Sequence, residues 1–211
     1  CQLNFHVGNL EYNYDLIKSY RDKSKSNNVD ICIYSELCIT GYPPEDLVLR
    51  PSLIEASEQY VEKLIKLSND GGPAIIIGYP RLSDKVLMNS AAIIDNGRIS
   101  VVDKHHLPNY GVFDEARVFS SGRLSGPIVC KGIRIGLMIC EDMWHKDVAE
   151  TLVESGAQIL IVINGSPYDQ NKEDERLSVA VARVIESELP LIYVNQVGGQ
   201  DELVFDGGSF V

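Results

Sequence analysis

The sequence predicts an α/β chain, a mixed sheet sandwich flanked by helices, and two observations predict it. Short apolar runs that read as buried strands alternate with amphipathic stretches that read as helices. Midway the grammar changes to two hairpins, which bring antiparallel neighbours into the sheets. The 211 residues are 45% hydrophobic and 23% charged, enough for a full core and unlike a disordered or fibrous chain.

Leu10 to Ser26 places Leu10, Tyr14, Ile17 and Tyr20 on one helical face, with Asn9 as the cap. Asp30 to Tyr34 is a short buried strand. Leu53 to Ser68 is an amphipathic helix with Leu53, Ala56, Tyr60, Leu64 and Leu67 on one side. Ala74 to Tyr79 is a second buried strand. Met88 to Asp95 and Ile99 to Asp103 flank Asn96-Gly97, a pair that favours a tight primed turn, so they form a hairpin. Ile128 to Cys130 and Ile133 to Cys140 form another across Lys131-Gly132. Val148 to Ser155 is a short helix and Gln158 to Asn164 a buried strand. Asp174 to Glu188 is a helix carrying Leu177, Val181, Val184 and Ile185, and Leu191 to Gln196 is a final strand before a Gly-rich end. The apolar opening Cys1-Gln2-Leu3 reads as strand already under way, which implies residues upstream.

The net charge of −11 argues against a nucleic-acid partner, which would want a basic face. No apolar run reaches the roughly 18 residues of a membrane span, and no signal peptide opens the chain. Five cysteines, with no CxxC pair, suit a reducing cytoplasm better than a disulfide framework. The chain reads as one domain over 1–211, without repeat or linker. Its long loops, Thr40 to Pro51, Lys104 to Gly126 and Gly165 to Lys172, follow strands, where α/β folds collect their sites.

Three residues at strand ends are candidates for one site. Cys140 closes an apolar run and is followed by Glu141 and Asp142. Taken alone it is as good a packed core cysteine as a nucleophile. Its acidic neighbours do not activate a thiol, so activation needs a separate base. Glu36 ends the run DICIYSE, where a partly desolvated carboxylate can act as that base; an isolated glutamate there is more commonly just solvated. Lys104 ends ISVVD, and an ammonium beside Glu36 would keep both charged and could donate to a developing oxyanion; any single lysine is more commonly a surface residue. His105-His106 lacks further ligands at metal spacing, so no metal site is expected and both read as loop or packing residues.

Together these segments resemble the nitrilase, or carbon–nitrogen hydrolase, superfamily, whose members use a Glu-Lys-Cys triad in the chain order seen at Glu36, Lys104 and Cys140. They resemble most the N-terminal glutaminase domain of glutamine-dependent NAD synthetases. The residues that carry the likeness are Ser35-Glu36-Leu37, Gly41 to Leu47 (GYPPEDL), Lys104 to Arg117 (KHHLPNYGVFDEAR), Cys140 to Trp144 (CEDMW), Asn164 to Pro167 (NGSP) and Gly198 to Gly207 (GGQDELVFDG).

The resemblance implies a four-layer α-β-β-α sandwich with mixed sheets. It implies that Glu36 takes the thiol proton, Cys140 attacks the glutamine γ-carboxamide, and Lys104 with a backbone N–H steadies the oxyanion. Ammonia leaves, and water then hydrolyses the γ-glutamyl thioester. Tyr110, Ser166 and Lys172 would hold glutamine, Glu141 and Trp144 would touch it, and Glu115 would support the lysine. The glutaminase step needs no cofactor. ATP and magnesium would belong to a C-terminal NAD synthetase domain, the expected partner, whose SGGxDS-type pyrophosphate loop does not occur here; Gly207-Gly208-Ser209 is too short to replace it. Final sandwich strands are expected beyond Val211, and the assembly is expected to be a homo-oligomer. Two positions depart from the family pattern: Gly165 where Ala is usual and Asn171 where Gly is usual. Rival readings are a free-standing amidase for another small substrate and a non-catalytic scaffold.

Overall fold

The computed structural model describes residues 1–170 and 172–211, so Asn171 lies outside the described residues. Its elements in chain order are α1 (Leu10–Ser26), β1 (Ile31–Ile33), α2 (Pro51–Leu67), β2 (Ala74–Ser83), β3 (Val86–Asp95), β4 (Arg98–Asp103), the short α3 (Glu115–Val118), β5 (Ile128–Cys130), β6 (Ile133–Ile139), α4 (Lys146–Glu154), β7 (Ile159–Ile163), α5 (Lys172–Ser187), β8 (Leu191–Val194), β9 (Val197–Gln200) and β10 (Leu203–Asp206).

One sheet runs β1-β2-β3-β4 and a second β5-β6-β7-β8, while β9 and β10 form a separate hairpin. Parallel pairs (β1 with β2, β6 with β7, β7 with β8) are joined through helices, as parallel neighbours require, and the other pairs are antiparallel hairpins. The period of two along each strand decides which layer a side chain enters. Ile75 and Ile77 face α1 and α2, meeting Ile17, Val61 and Leu64. Their neighbour Ile76 faces the other way and packs with Ala91 and Ile93 against Ile135, Leu137, Ile139, Ile161 and Ile163 of the second sheet. On that sheet's outer face Met138, Leu160 and Val162 meet Val148, Leu152 and Ala180 of α4 and α5. The order of layers is helix, sheet, sheet, helix. Each fully buried aliphatic in these layers contributes about 1.5–3 kcal/mol.

Differences from the sequence expectation have local causes. The Asn9 side chain accepts the Tyr12 N–H at 3.2 Å, capping α1 as expected. The buried stripe of α1 is nevertheless Leu10, Asn13, Ile17 and Arg21, because the two polar residues find partners inside. Asn13 donates to the His6 and Ile39 carbonyls. Arg21 grips both oxygens of Asp70 and donates to the Pro73 carbonyl. In α5 the inner residues are Arg176, Ala180 and Arg183, with Arg176 held on Asp206; the apolar stripe Leu177, Val181, Val184 and Ile185 faces outward instead of the core. The turn between β2 and β3 is made by Asp84 and Lys85, both in the left-handed region, and contains no glycine to announce it. Residues 1–6 belong to no strand, although the Leu3 carbonyl accepts the Val197 N–H at 3.1 Å. Among the described residues, no helix is long and apolar enough to cross a membrane.

Strand β1 stops at Ile33, but the chain continues alongside β2, with the Tyr34 N–H donating to the Ile76 carbonyl (2.8 Å) and the Ile39 N–H to the Gly78 carbonyl (3.2 Å). A Cβ on Gly78 would overlap the Leu37 amide nitrogen and come within 2.8 Å of the Glu36 Cα. Backbone therefore lies against backbone, and nothing flexible can yield. Gly78→Ala is expected to cost about 2 kcal/mol of stability by overpacking. Chemical denaturation measures this, and an unchanged midpoint would contradict the close approach.

Candidate active site

Three chain segments deliver their polar residues to the same end of the sandwich. Lys104 follows the last residue of β4, Cys140 follows the last residue of β6, and Glu36 lies three residues beyond the end of β1 in the segment pressed against Gly78. Glu36 is thus past the strand rather than at its end. The side chains of Glu36 and Lys104 are fully buried and that of Glu115 nearly so.

Lys104 Nζ donates to Glu36 Oε1 at 2.6 Å and to both Glu115 oxygens at 2.9 and 2.8 Å. Asn89 Nδ2 donates to Glu36 Oε1 (2.8 Å) and also to Glu115 Oε2 (3.4 Å). The Gly165 N–H donates to Glu36 Oε2 at 2.9 Å, and the Tyr42 hydroxyl donates to Glu115 Oε1 at 3.1 Å. Every carboxylate oxygen in the cluster has a donor, which is the condition for keeping buried charges charged. Burial draws the Lys104 pKa down, but Glu115 and Glu36 outweigh it and hold it well above the ordinary lysine value. Burial, opposed by Lys104 and reinforced by the neighbouring Glu36 charge, pushes Glu115 up to about 7.

Cys140 belongs to the core between the sheets and opens a tight 3-10 turn, Cys140–Trp144. Its φ is 47°, a left-handed backbone that costs a non-glycine residue of order 1 kcal/mol or more and is concentrated at functional sites. Burial and the Glu36 charge raise the thiol pKa well above its usual value, and Lys104 only partly offsets them.

Asp142 fixes the relation between this turn and the Lys104 segment. Its Oδ2 accepts the Ile139 N–H at 3.1 Å, closing the turn on the end of β6. Its Oδ1 accepts the N–H groups of His105 and His106 at 3.0 and 2.9 Å. One buried carboxylate thereby holds the residues next to Lys104 against the residues next to Cys140.

A second group surrounds this centre. The half-exposed Tyr110 donates its hydroxyl to Glu141 Oε2 at 2.8 Å. Lys172 Nζ lies 5.3 Å from the Trp144 ring centre and 5.4 Å from that of Phe113. Tyr110, Glu141, Trp144 and Lys172 therefore share one rim. Ser166 is buried on the loop that supplies the Gly165 N–H, and Asn195 grips both its N–H (3.0 Å) and its carbonyl (2.9 Å). A methyl on Gly165 would come within 2.7 Å of the Tyr42 ring, so the departure at this position goes with Tyr42 lying across it.

Sequence reasoning passed over Asn89, Tyr42, Asp142 and Asn195 as site residues. Asn89 had a signal, a lone amide in the apolar strand MNSAAII. Tyr42 and Asp142 stood inside the motifs quoted above, but nothing local showed what they would touch.

A family model described as carbon-nitrogen hydrolase matches residues 1–211. The chain is 41% identical over 212 residues to a glutamine-dependent NAD(+) synthetase from Rhodobacter capsulatus, covering 100% of this chain and 38% of that protein. It is 38% identical over 215 residues to a glutamine-dependent NAD(+) synthetase from Xanthomonas campestris, covering 100% and 39%. The chain spans about two-fifths of the curated relatives it matches. Among solved structures it is similar to glutamine-dependent NAD+ synthetase from Acinetobacter baumannii in complex with ADP, with TM-score 0.91, 35% identity, and coverage of 99% of this chain and 40% of that one. An amidase from Nesterenkonia sp. shares the fold at TM-score 0.86 and 23% identity, over 99% of this chain and 78% of that one. With its whole length matched, the chain belongs to the carbon-nitrogen hydrolase family.

Proposed function

We propose that residues 1–211 form a glutamine amidohydrolase domain that releases ammonia through a γ-glutamyl thioester on Cys140. What supports this reading is the buried Glu36–Lys104–Glu115 cluster, near enough to Cys140 for Glu36 and Lys104 to pull its thiol pKa in opposite directions. The similarity to glutamine-dependent NAD(+) synthetases supports glutamine as the substrate.

In this reading Glu36 accepts the thiol proton as sulfur attacks the γ-carbonyl carbon. Lys104 and a backbone N–H of the Cys140 turn stabilise the oxyanion. The tetrahedral intermediate collapses, the C–N bond breaks, and ammonia departs with the proton returned from Glu36. Water then adds to the thioester with Glu36 again as base, giving glutamate and the free thiol. Glu115 holds Lys104 in place and balances its charge. Tyr110, Ser166 and Lys172 bind glutamine, Lys172 pairing with the α-carboxylate, while Glu141 and Trp144 complete the rim. No cofactor takes part in this step.

The ammonia serves the amidation of nicotinic acid adenine dinucleotide to NAD on a C-terminal synthetase domain, where ATP and magnesium would act. The Gly207-Gly208-Ser209 segment does not fit nucleotide phosphate. Its Ser209 hydroxyl accepts the Asn195 N–H, and its Ser209 N–H is spent on Gln2. The outward stripe Leu177, Val181, Val184 and Ile185 on α5 supports a homo-oligomer, and five unpaired cysteines suit the cytoplasm.

Three outcomes are expected of the full-length protein. Glutamate release from glutamine is abolished in Cys140→Ala and falls by about 3 kcal/mol, roughly 100-fold, in Lys104→Ala; wild-type rates in either would overturn the roles. Because the thiol pKa is raised, the thiolate fraction at pH 7 is small, so alkylation of Cys140 by iodoacetamide should still be climbing above pH 9. A plateau below pH 8 would mean a preformed thiolate and remove the need for Glu36 as base. Light scattering should show an oligomer that Leu177→Glu with Val181→Glu dissociates, and a monomeric parent would contradict the α5 interface.

A further inference from the structure

His105 and His106 follow Lys104 and take no part in the reaction described above. In the structure they meet Asp147, in the first turn of α4, and one ligand atom from each of the three residues lies within 4.8 Å of the others. His106 Nε2 is 2.8 and 3.1 Å from the two Asp147 oxygens. His105 Nε2 faces the same carboxylate from 3.8 Å, beyond hydrogen-bond reach.

The donors are already oriented. His105 Nδ1 is 2.7 Å from the Gly122 carbonyl, which can only accept, so in the neutral ring the proton sits on Nδ1 and Nε2 presents its lone pair toward Asp147. This is the arrangement by which metal-ligating histidines are set in other proteins, a carbonyl on one ring nitrogen and the cation on the other. The backbone of both histidines is pinned by Asp142, and the His106 ring stacks on His145 with centres 3.8 Å apart and 17° between planes. A hydrogen-bonded pair uses only His106 and Asp147. It leaves the His105 lone pair facing a carboxylate oxygen 3.8 Å away.

We propose that His105, His106 and Asp147 form a binding site for a borderline divalent transition metal, zinc or a close relative, with solvent completing the coordination. Two imidazoles and a carboxylate select such a cation over magnesium or calcium, which prefer all-oxygen ligands. The site is structural. It joins the segment after Lys104 to the helix after the Cys140 turn, in parallel with the tie made by Asp142. It also lies next to the substrate rim, since His145 Nε2 is 3.4 Å from Glu141 Oε1.

Cobalt(II) is the probe, added to the full-length protein after chelator treatment. The expected result is one cobalt per chain with the visible absorption of four-coordinate cobalt, retained in Cys140→Ser and weakened at least tenfold in both His106→Gln and Asp147→Asn. Asp147→Asn keeps an oxygen to accept the Val148 N–H, as Asp147 Oδ1 does at 2.9 Å, so it should fold. Zinc should raise the melting temperature of the parent and leave that of His106→Gln unmoved. Three results would overturn the proposal: no cobalt bound at micromolar concentration, the same stoichiometry in the parent and both variants, or a thiolate-to-cobalt charge-transfer band that vanishes in Cys140→Ser.

Discussion

A lysine ammonium buried with its side chain wholly out of solvent is the constraint on which this end of the sandwich depends. Removing such a charge from water costs several kcal/mol unless partners replace the water. Glu36 and Glu115 replace it, and they come from segments that share no secondary structure with Lys104. The cluster therefore exists only when the segment beyond β1, the end of β4 and α3 have all reached their places. Asn89 and the Gly165 N–H then satisfy what the lysine leaves over. The cost of the buried charge is what demands so complete a set of donors, and that set fixes Glu36 in place.

The sandwich supplies the positions. Ile139 packs between the sheets, Asp142 bonds back to its N–H, and Cys140 is left between them in a left-handed backbone. Two sheet ends and one carboxylate thus determine where the sulfur lies. The rim is built differently, from Tyr110, Phe113, Trp144 and Lys172, through ring contacts and one hydroxyl bond. Centre and rim are thus held by different kinds of contact.

Much of this was legible in the residues. Asn9 and the apolar spacing after it mark α1, Asn96-Gly97 marks a hairpin, and apolar runs such as AIIIGY and QILIVIN mark the central strands. Legibility failed where polar atoms turn inward to partners far along the chain. Arg21, Arg176 and Asn13 occupy inner helical faces because Asp70, Asp206 and the Ile39 carbonyl wait there, and no periodicity records that. The turn at Asp84-Lys85 lacked its usual glycine, and the β9–β10 hairpin was hidden in a Gly-rich stretch. In the site, the strand-end residues stood out once the family pattern joined them. Asn89 and Asp142 act only across the fold, so their roles required the fold.

The place of Cys140 in the core between the sheets has a consequence for how this protein can change. Many enzymes adjust their rate through the looseness of a lid, which can soften while the body stays rigid. Here Cys140, the nucleophile of the proposed reaction, is set in the same packing that holds the two sheets together. Softening the packing around Cys140 means softening the core between the sheets. Looseness is more easily gained at the rim, where Tyr110 is half-exposed.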